Sequence, residues 1–572
     1  GGGPAAAEAA APRSLEEHVA RAAARLLGGP GHPQLRWCTA EAPADYRRLR
    51  PEEFFNHFQD NHVLTTKAGL AASLAQHAVA GGPSADGFFP RCYDLAQGAD
   101  RDDLVLDFRR SAALRAAAAH LHLERRAAEG FSAQKYACNL DVLQHVRLVL
   151  RRWCWDLDAA HLDDEAAGDG EAALSEDAWD ALVTYSDLTQ AQLCGDTIEE
   201  DLVRPPRRRH YRPGGGALDG GARAAEWHEG QGEARPSDVR SWPEFAGQRW
   251  GRPASRLNEA LEGAMAQLEA LFPQWPLQGG RVGRNIWIVK PGTNSKGSGV
   301  ECVNSLPDML HSGDAMPNRL AQKYIERPLL LFSGRKFDIR QWILVRSVAP
   351  LRVFMFSECY LRLCNGAYDL GDLRDREKHI SNWQVNRHGR NVVDGAVVSL
   401  QDFQGELHDL TGNAEYWDQE MRPQVQSIVL QTLRAAQGQL VPRANSFELY
   451  GFDLMVDEQL RLWLLEVNLS PGCDCRTPFL DRMLERMSKR LVEVAVLGEE
   501  APDGVLPDWV KICDDAADGT PAAQAEAAAM LQPPAQRPHG AEFAVQGQAL
   551  GQEQGFVFAL LLVGGPPGFR FC

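Results

Sequence analysis

The chain has 572 residues, 44% of them hydrophobic, with 77 acidic against 60 basic side chains and a net charge of −17. That length and apolar content suffice for roughly two to four domains with real cores. An acidic balance looks wrong for a partner that is itself acidic, and the apolar run at 556–563 is far too short to span a bilayer.

Twelve cysteines without regular spacing read as reduced thiols rather than a disulfide framework. Cys473-x-Cys475 lacks a CxxC partner elsewhere, so zinc is not expected. The net charge hides a strong division. Residues 155–203 carry fifteen acidic residues and no Lys or Arg, whereas residues 281–380 carry sixteen Lys and Arg against ten acids. A local field follows the local charge, so the region 281–380 is suited to an anionic ligand.

In chain order, residues 1–40 are an Ala/Gly-rich leader expected to be flexible, apart from a helix at 15–27. Residues 41–154 show strand–turn–helix patterns, including a helix around 104–127, and are expected to form an N-terminal domain. Residues 155–245 turn acidic, then basic and Gly/Pro-rich, the composition of a flexible insertion with room for a short helix at 178–193. A central domain is expected at 246–340. It opens with Leu257, Leu261, Met265, Leu268 and Leu271 at helical spacing.

A β-rich run then delivers Lys290 to a loop containing Lys296, Gly297, Ser298, Gly299 and Val300. Glycines and small hydroxyl residues let backbone N–H groups approach phosphate oxygens closely. No Gly-Lys-Ser/Thr opens a helix, so this is not a Walker loop, and a glycine-rich stretch by itself also suits a simple turn. Gln322, Lys323, Tyr324 and Ile325 follow. Next, Lys336, Asp338 and Arg340 alternate with Phe337 and Ile339, the pattern of a strand with one charged and one apolar face.

A C-terminal domain is expected at 341–499, with helices at 424–440 and 480–496. Within it, 451–456 and 464–468 read as two strands joined by a tight turn at Asp457-Glu458. Glu466 and Asn468 are two apart and leave one face, and Asp453 lies on the neighbouring strand. Two carboxylates and an amide carbonyl suit a hard cation such as Mg²⁺. The blander alternative is a half-buried hairpin whose acids meet water. Residues 500–572 are Ala/Pro/Gln-rich and expected to be mostly disordered.

Taken in order, Ile288-Val289-Lys290-Pro291, the glycine-rich loop, Gln322-Lys323-Tyr324-Ile325, Arg335-Lys336-Phe337-Asp338-Ile339-Arg340, Phe452-Asp453-Leu454-Met455-Val456-Asp457 and Leu465-Glu466-Val467-Asn468 resemble the tubulin tyrosine ligase-like family. The likeness covers roughly residues 50–150 and 250–495. Asn56-His57-Phe58, Thr65-Thr66-Lys67-Ala68-Gly69-Leu70, Phe88-Phe89-Pro90-Arg91, Arg327-Pro328-Leu329-Leu330-Leu331 and Asn445-Ser446-Phe447-Glu448-Leu449-Tyr450-Gly451 are similar to its glycine ligases, the initiating ones above all. The chain departs from the family at Ser295-Lys296-Gly297-Ser298-Gly299, where many relatives carry an arginine-rich version.

The resemblance implies an α+β protein of the ATP-grasp fold with N-terminal, central and C-terminal domains. It implies ATP and Mg²⁺ as cofactors, with Asp453, Glu466 and Asn468 on the metal. Lys67, Lys290, the 296–300 loop, Gln322 to Ile325, Lys336, Asp338, Ser381 and Asn382 are implied around the nucleotide. Lys290, Arg340 and Arg362 are implied as catalytic, with Arg362 on a substrate carboxylate. The implied activity is addition of glycine to glutamate γ-carboxylates of tubulin tails through an acyl phosphate. The implied setting is the cytoplasm, cytoskeleton and ciliary or flagellar axoneme, with a monomer, no nucleic acid and no membrane. Glutamate ligation by the same machinery, a non-catalytic microtubule-binding relative and a more distant ligase of small acids remain as alternatives. An intact Asp453/Glu466/Asn468 set argues against the second.

Overall fold

The computed structural model describes residues 15–27, 34–38, 46–129, 138–158, 174–194, 240, 243–279, 283–292, 297–316, 318–386, 397–469, 477–498, 505–506, 508–516 and 569–571. Two antiparallel sheets organise them. The smaller contains β1 (Cys92–Asp94), β2 (Trp287–Pro291), β3 (Glu301–Val303) and β4 (Arg319–Lys323), in the order β1-β4-β2-β3.

The larger sheet has seven strands. They are β5 (Arg335–Val348), β6 (Leu351–Ala367), β7 (Val397–Ser399), β8 (Glu448–Val456), β9 (Leu462–Leu469), β10 (Val505–Leu506) and β11 (Trp509–Asp514). Their order is β9-β8-β5-β6-β11-β10, with β7 beside β6. Every residue of β8 is buried, as its central place and near-continuous apolar run require.

The main helices are α1 (Leu15–Leu27), α2 (Lys67–Val79), α3 (Gly98–Ala128), α4 (Leu140–Leu157), α5 (Glu176–Cys194), α6 (Ser255–Leu271), α7 (Arg422–Gln437) and α8 (Pro478–Val492). One face of the larger sheet presents Phe337, Ile339, Ile343, Phe452 and Leu454 to α2 and α7. The other presents Trp342, Leu344, Phe354 and Leu449 to α1 and α8. The alternation of β5 residues between two cores is the period of two expected of a strand covered on both faces. A separate core joins α3, α4, α5 and α6 through Ala112, Ala116, Val142, Leu182 and Leu261.

Several sequence expectations are corrected. The 15–27 helix forms, but it is no part of a loose leader: Leu15, Val19, Ala23 and Leu27 are buried, and His18 Nε2 lies 3.1 Å from Asp481 on α8. Within the expected insertion, α5 is a helix of 19 residues whose Ala181, Leu182, Tyr185 and Leu188 are buried. Its acids are not solvated idle charge. Glu176 pairs with Arg109 and Asp187 with Arg115, and Arg115 Nε donates to Ser186 Oγ at 2.8 Å. A charge count along the chain misses this because the partner arginines lie on α3. Past residue 500, β11 joins the sheet and buries Trp509.

The boundary at 340 also falls inside β5, whose fourteen residues belong to the larger sheet. Conversely β1, from the expected N-terminal domain, completes the smaller sheet beside β4. The hairpin is longer than read, with β8 ending at Val456 and β9 starting at Leu462. Cys473 and Cys475 lie outside the described residues.

If α5 is part of a core, Leu182→Ala should cost about 2–5 kcal/mol, as leucine truncations in packed sites do. Chemical unfolding followed by helical circular dichroism measures it. A change within about 0.5 kcal/mol, typical of surface sites, would return α5 to a dispensable insertion.

Candidate active site

The two sheets meet across a cleft lined by side chains from both. The smaller sheet supplies Ile288 and Lys290 from β2 and Gln322 and Lys323 from β4, followed by Tyr324 and Ile325. The larger sheet supplies Lys336 and Asp338 from β5, Arg362 from β6, Asp453 and Met455 from β8, and Leu465 and Glu466 from β9. Lys67, Pro90, Gly297, Val300 and residues 379–382 close the rim.

The segment Phe88-Phe89-Pro90-Arg91 straps the sheets together. The Phe88 carbonyl accepts from Leu464 N–H on β9 at 2.7 Å, and the Pro90 carbonyl accepts from Gln322 Nε2 on β4 at 3.2 Å. The Arg91 carbonyl accepts from Lys323 N–H at 2.9 Å. These bonds fix the spacing of the two walls.

Strand register then sets the chemistry. Glu466, Asp453, Arg340 and Tyr360 are direct partners in one row across β9, β8, β5 and β6. Pairing of β8 with β9 slips between Asp453 and Leu454, so Asp453 faces Glu466 while Leu454 faces Leu464. This bulge lets the consecutive residues Leu465 and Glu466 both reach the cleft, which a regular strand forbids.

Asp453 is the hub of the row. Arg340 donates to it through Nε at 2.5 Å and Nη2 at 3.1 Å, and Arg362 Nη2 donates at 2.7 Å. Asn468 Nδ2 donates to the same carboxylate at 3.1 Å. Burial alone pushes the Asp453 carboxyl up, but the two guanidinium groups outweigh it and hold it well below the usual carboxylate range. Arg362 also grips Asp338 through Nε and Nη2, both at 2.7 Å, and Ser381 Oγ donates to Asp338 at 2.6 Å.

The lysines are placed differently. Lys290 Nζ donates to Gln322 Oε1 at 2.7 Å. Lys336 Nζ donates to Tyr324 OH at 2.8 Å and the His379 carbonyl at 3.0 Å, and lies 4.0 Å from the Tyr324 ring centroid. Among the described residues neither has a carboxylate within ion-pair distance. Burial pushes the Lys290 ammonium down to about 8 and lowers Lys336 as well. Lys67 Nζ pairs with Glu466 Oε2 at 3.2 Å. Lys67, Lys290, Lys336, Arg340 and Arg362 thus face Asp338, Asp453 and Glu466, which leaves two positive charges in excess.

Asp453 and Glu466 are register partners that both line the cleft, and two carboxylates suit a hard cation, whereas Asn468 does not line it and turns its Nδ2, not its oxygen, to Asp453. Glu466 opens on the cleft, whereas both Asp453 oxygens already hold arginines.

Other expectations divide. Lys67, Lys290, Gly297, Val300, Gln322, Tyr324, Ile325, Lys336, Asp338, Ser381 and Asn382 all line the cleft. Lys323 lines it too, but its ammonium binds Glu326 Oε1 at 2.7 Å and the Ile286 carbonyl at 3.1 Å, packed over Trp287. It is a structural cation rather than a ligand-facing one. Ser298 and Gly299 stand off the cleft, and the Gly299 carbonyl accepts from Arg319 Nη2 at 2.5 Å. Lys296 lies outside the described residues. Arg340 stands behind Asp453 instead of lining the cleft, so it is a positioning residue.

Sequence reasoning missed Ile288, Met455, Leu465 and His379. The first two were within reach, because Ile288 is two before Lys290 and Met455 two after Asp453, on the same strand faces. Leu465 needs the bulge. His379 Nδ1 lies 3.0 Å from Tyr324 OH and comes from a short helical turn that carried no signal. With Ile325, these apolar side chains form a wall opposite in character to the lysines.

The Danio rerio protein named tubulin monoglycylase TTLL3 is 30% identical over 77% of this chain and 53% of its own length. Tubulin glycylase 3E of Tetrahymena thermophila is 29% identical over 80% of this chain and 34% of its own. Protein monoglycylase TTLL8 of Homo sapiens is 26% identical over 81% and 52% respectively. The chain thus spans about a third to a half of the length of these relatives. Residues 245–503 match the tubulin-tyrosine ligase family, and the sheet residues of the cleft lie inside that span: the chain carries a tubulin-tyrosine ligase family domain.

Proposed function

We propose that the chain is an ATP-dependent ligase of the ATP-grasp type that adds glycine to glutamate γ-carboxylates of tubulin tails, starting the glycine chains, in the cytoplasm and on axonemal microtubules. The observation that carries this reading is the excess of positive charge lining the cleft between two sheets, beside an apolar wall. A flat base and a polyphosphate answer both halves of that lining. The names of the similar proteins supply the choice of glycine and tubulin.

ATP with Mg²⁺ would supply activation of the acceptor carboxylate as an acyl phosphate, leaving the protein to position groups and stabilise charge. Ile288, Ile325, Met455 and Leu465 take the base. Lys290 and Lys336, which have only neutral acceptors, take phosphate oxygens. Glu466, with Asp453 and Asn468, holds the metal, and Arg340 keeps Asp453 ionised and aimed. Arg362 is the group for a substrate carboxylate. Its Nε–Nη2 edge is closed on Asp338, so the carboxylate is met from the Nη1 side.

Two measurements test this reading. The first is mass spectrometry of tubulin after incubation with the purified chain, ATP, Mg²⁺ and equal glycine and glutamate. Glycyl additions should dominate, and Glu466→Gln should abolish them while leaving the fold intact. Dominant glutamyl addition would make the chain a glutamate ligase, and a fully active Glu466→Gln would remove the metal assignment.

The second follows from Lys290. Its folded pKa of about 8 lies below its ordinary value of 10.5. Phosphate beside it favours the charged form and raises that pKa. ATP binding at pH 8 should therefore take up about half a proton, falling towards zero below pH 7. Calorimetry in buffers of different ionisation enthalpy counts it. Lys290→Met should erase the uptake and lower turnover by on the order of 10²–10³. Uptake unchanged in Lys290→Met would place the nucleotide elsewhere.

A further inference from the structure

The helical body holds a second cluster, outside the cleft and within a different core. His120 and Glu124 sit one turn apart on α3 and so share a face. Cys138, in the short strand Cys138–Asn139 that leads into α4, comes against them. One ligand atom from each lies within 4.8 Å of the other two. Cys138 Sγ is 3.5 Å from His120 Nδ1 and 3.8 Å from Glu124 Oε1. Ligands around one tetrahedral ion at ordinary metal–ligand lengths stand roughly 3.3–3.8 Å apart.

The outer contact orients the ring. His120 Nε2 lies 2.9 Å from Asn258 Oδ1 on α6. An amide oxygen only accepts, so Nε2 carries the hydrogen and the Nδ1 lone pair points at Cys138. Metal-bound histidines are oriented in this way. His120 and Cys138 are buried and Glu124 half-buried, which leaves an approach on the carboxylate side. A thiolate, a carboxylate and a neutral imidazole together offset the charge of one divalent ion.

We propose that His120, Glu124 and Cys138 bind a zinc-class divalent cation, with Asn258 as the outer partner, and that the ion fastens the start of α4 to α3. The mixed N, O and S donors favour zinc over a hard cation. The sequence hid this site because its ligands are 18 residues apart on a helix and a strand, without CxxC spacing.

The test uses the full chain, stripped with chelator and titrated with Co²⁺ alone, read by the thiolate-to-cobalt charge-transfer absorption. The wild type should take up one equivalent with that band. Cys138→Ser should lose the band, and the near-isosteric Glu124→Gln, at a half-exposed position, should keep the fold and weaken binding. Asn258→Leu, which touches no metal, should weaken it about 10–100-fold. Absence of the band in wild type, or its persistence in Cys138→Ser, overturns the proposal and leaves a plain cysteine–histidine hydrogen bond.

Discussion

A buried ammonium at Lys336 and a half-buried one at Lys290, with no carboxylate among the described residues within ion-pair distance, are the constraint on which the site depends. Burying an unpaired charge is costly, and a folded chain tolerates it where a ligand is to supply the counter-charge. Lys290 and Lys336 are held by an amide oxygen, a phenol and a carbonyl. None of these cancels charge. The same sheets could have paired them with Asp338 or Glu466, but those carboxylates engage Arg362 and Lys67 instead. The arrangement gives Asp338 and Asp453 to arginines and Glu466 to Lys67, and leaves Lys290 and Lys336 for a ligand.

The rest of the architecture keeps that partition in place. The row across β9, β8 and β5 fixes Arg340 on Asp453, and the strap at 88–91 sets the distance to the smaller sheet. A second anchor acts from the N-terminal side. Glu448, buried on β8, lies 3.0 Å from His57 Nδ1 and accepts from Asn61 Nδ2 at 2.6 Å and Phe58 N–H at 3.3 Å. The segment so tied leads to Thr66, whose side chain caps α2 at Gly69 N–H, and to Lys67, whose N–H donates to the Gly292 carbonyl at 3.2 Å. A side chain at Gly69 would put its Cβ 2.1 Å from the His62 carbonyl, so only glycine allows this approach. The Asn56-His57-Phe58 and Thr65-to-Leu70 motifs are thus parts of one device that carries Lys67 to Glu466.

Much of this was legible in the residues because strands alternate. The faces of 336–340 and of 466 and 468 followed from a period of two, and the helix around 257–271 from a period near 3.6. What escaped reading depended on partners distant in sequence. The acids of α5 find arginines on α3, β1 finds β4 more than two hundred residues later, and β11 lies within the 500–572 stretch whose composition suggested disorder. The bulge at Asp453 was hidden for a related reason, since register is a property of two strands together. Lys323 was misplaced because a lysine next to a binding residue on a strand faces the opposite way.

The central claim is that the cleft binds phosphate by surplus positive charge. Isothermal titration of the full chain with ATP and with adenosine, at low salt and with Mg²⁺, tests it most directly. The account predicts that ATP binds tighter by about tenfold or more, 1.4 kcal/mol for each factor of ten, and that Lys290→Met and Lys336→Met each shrink that margin while leaving adenosine affinity unchanged. Equal affinity for ATP and adenosine, or a margin unmoved by both substitutions, would contradict it.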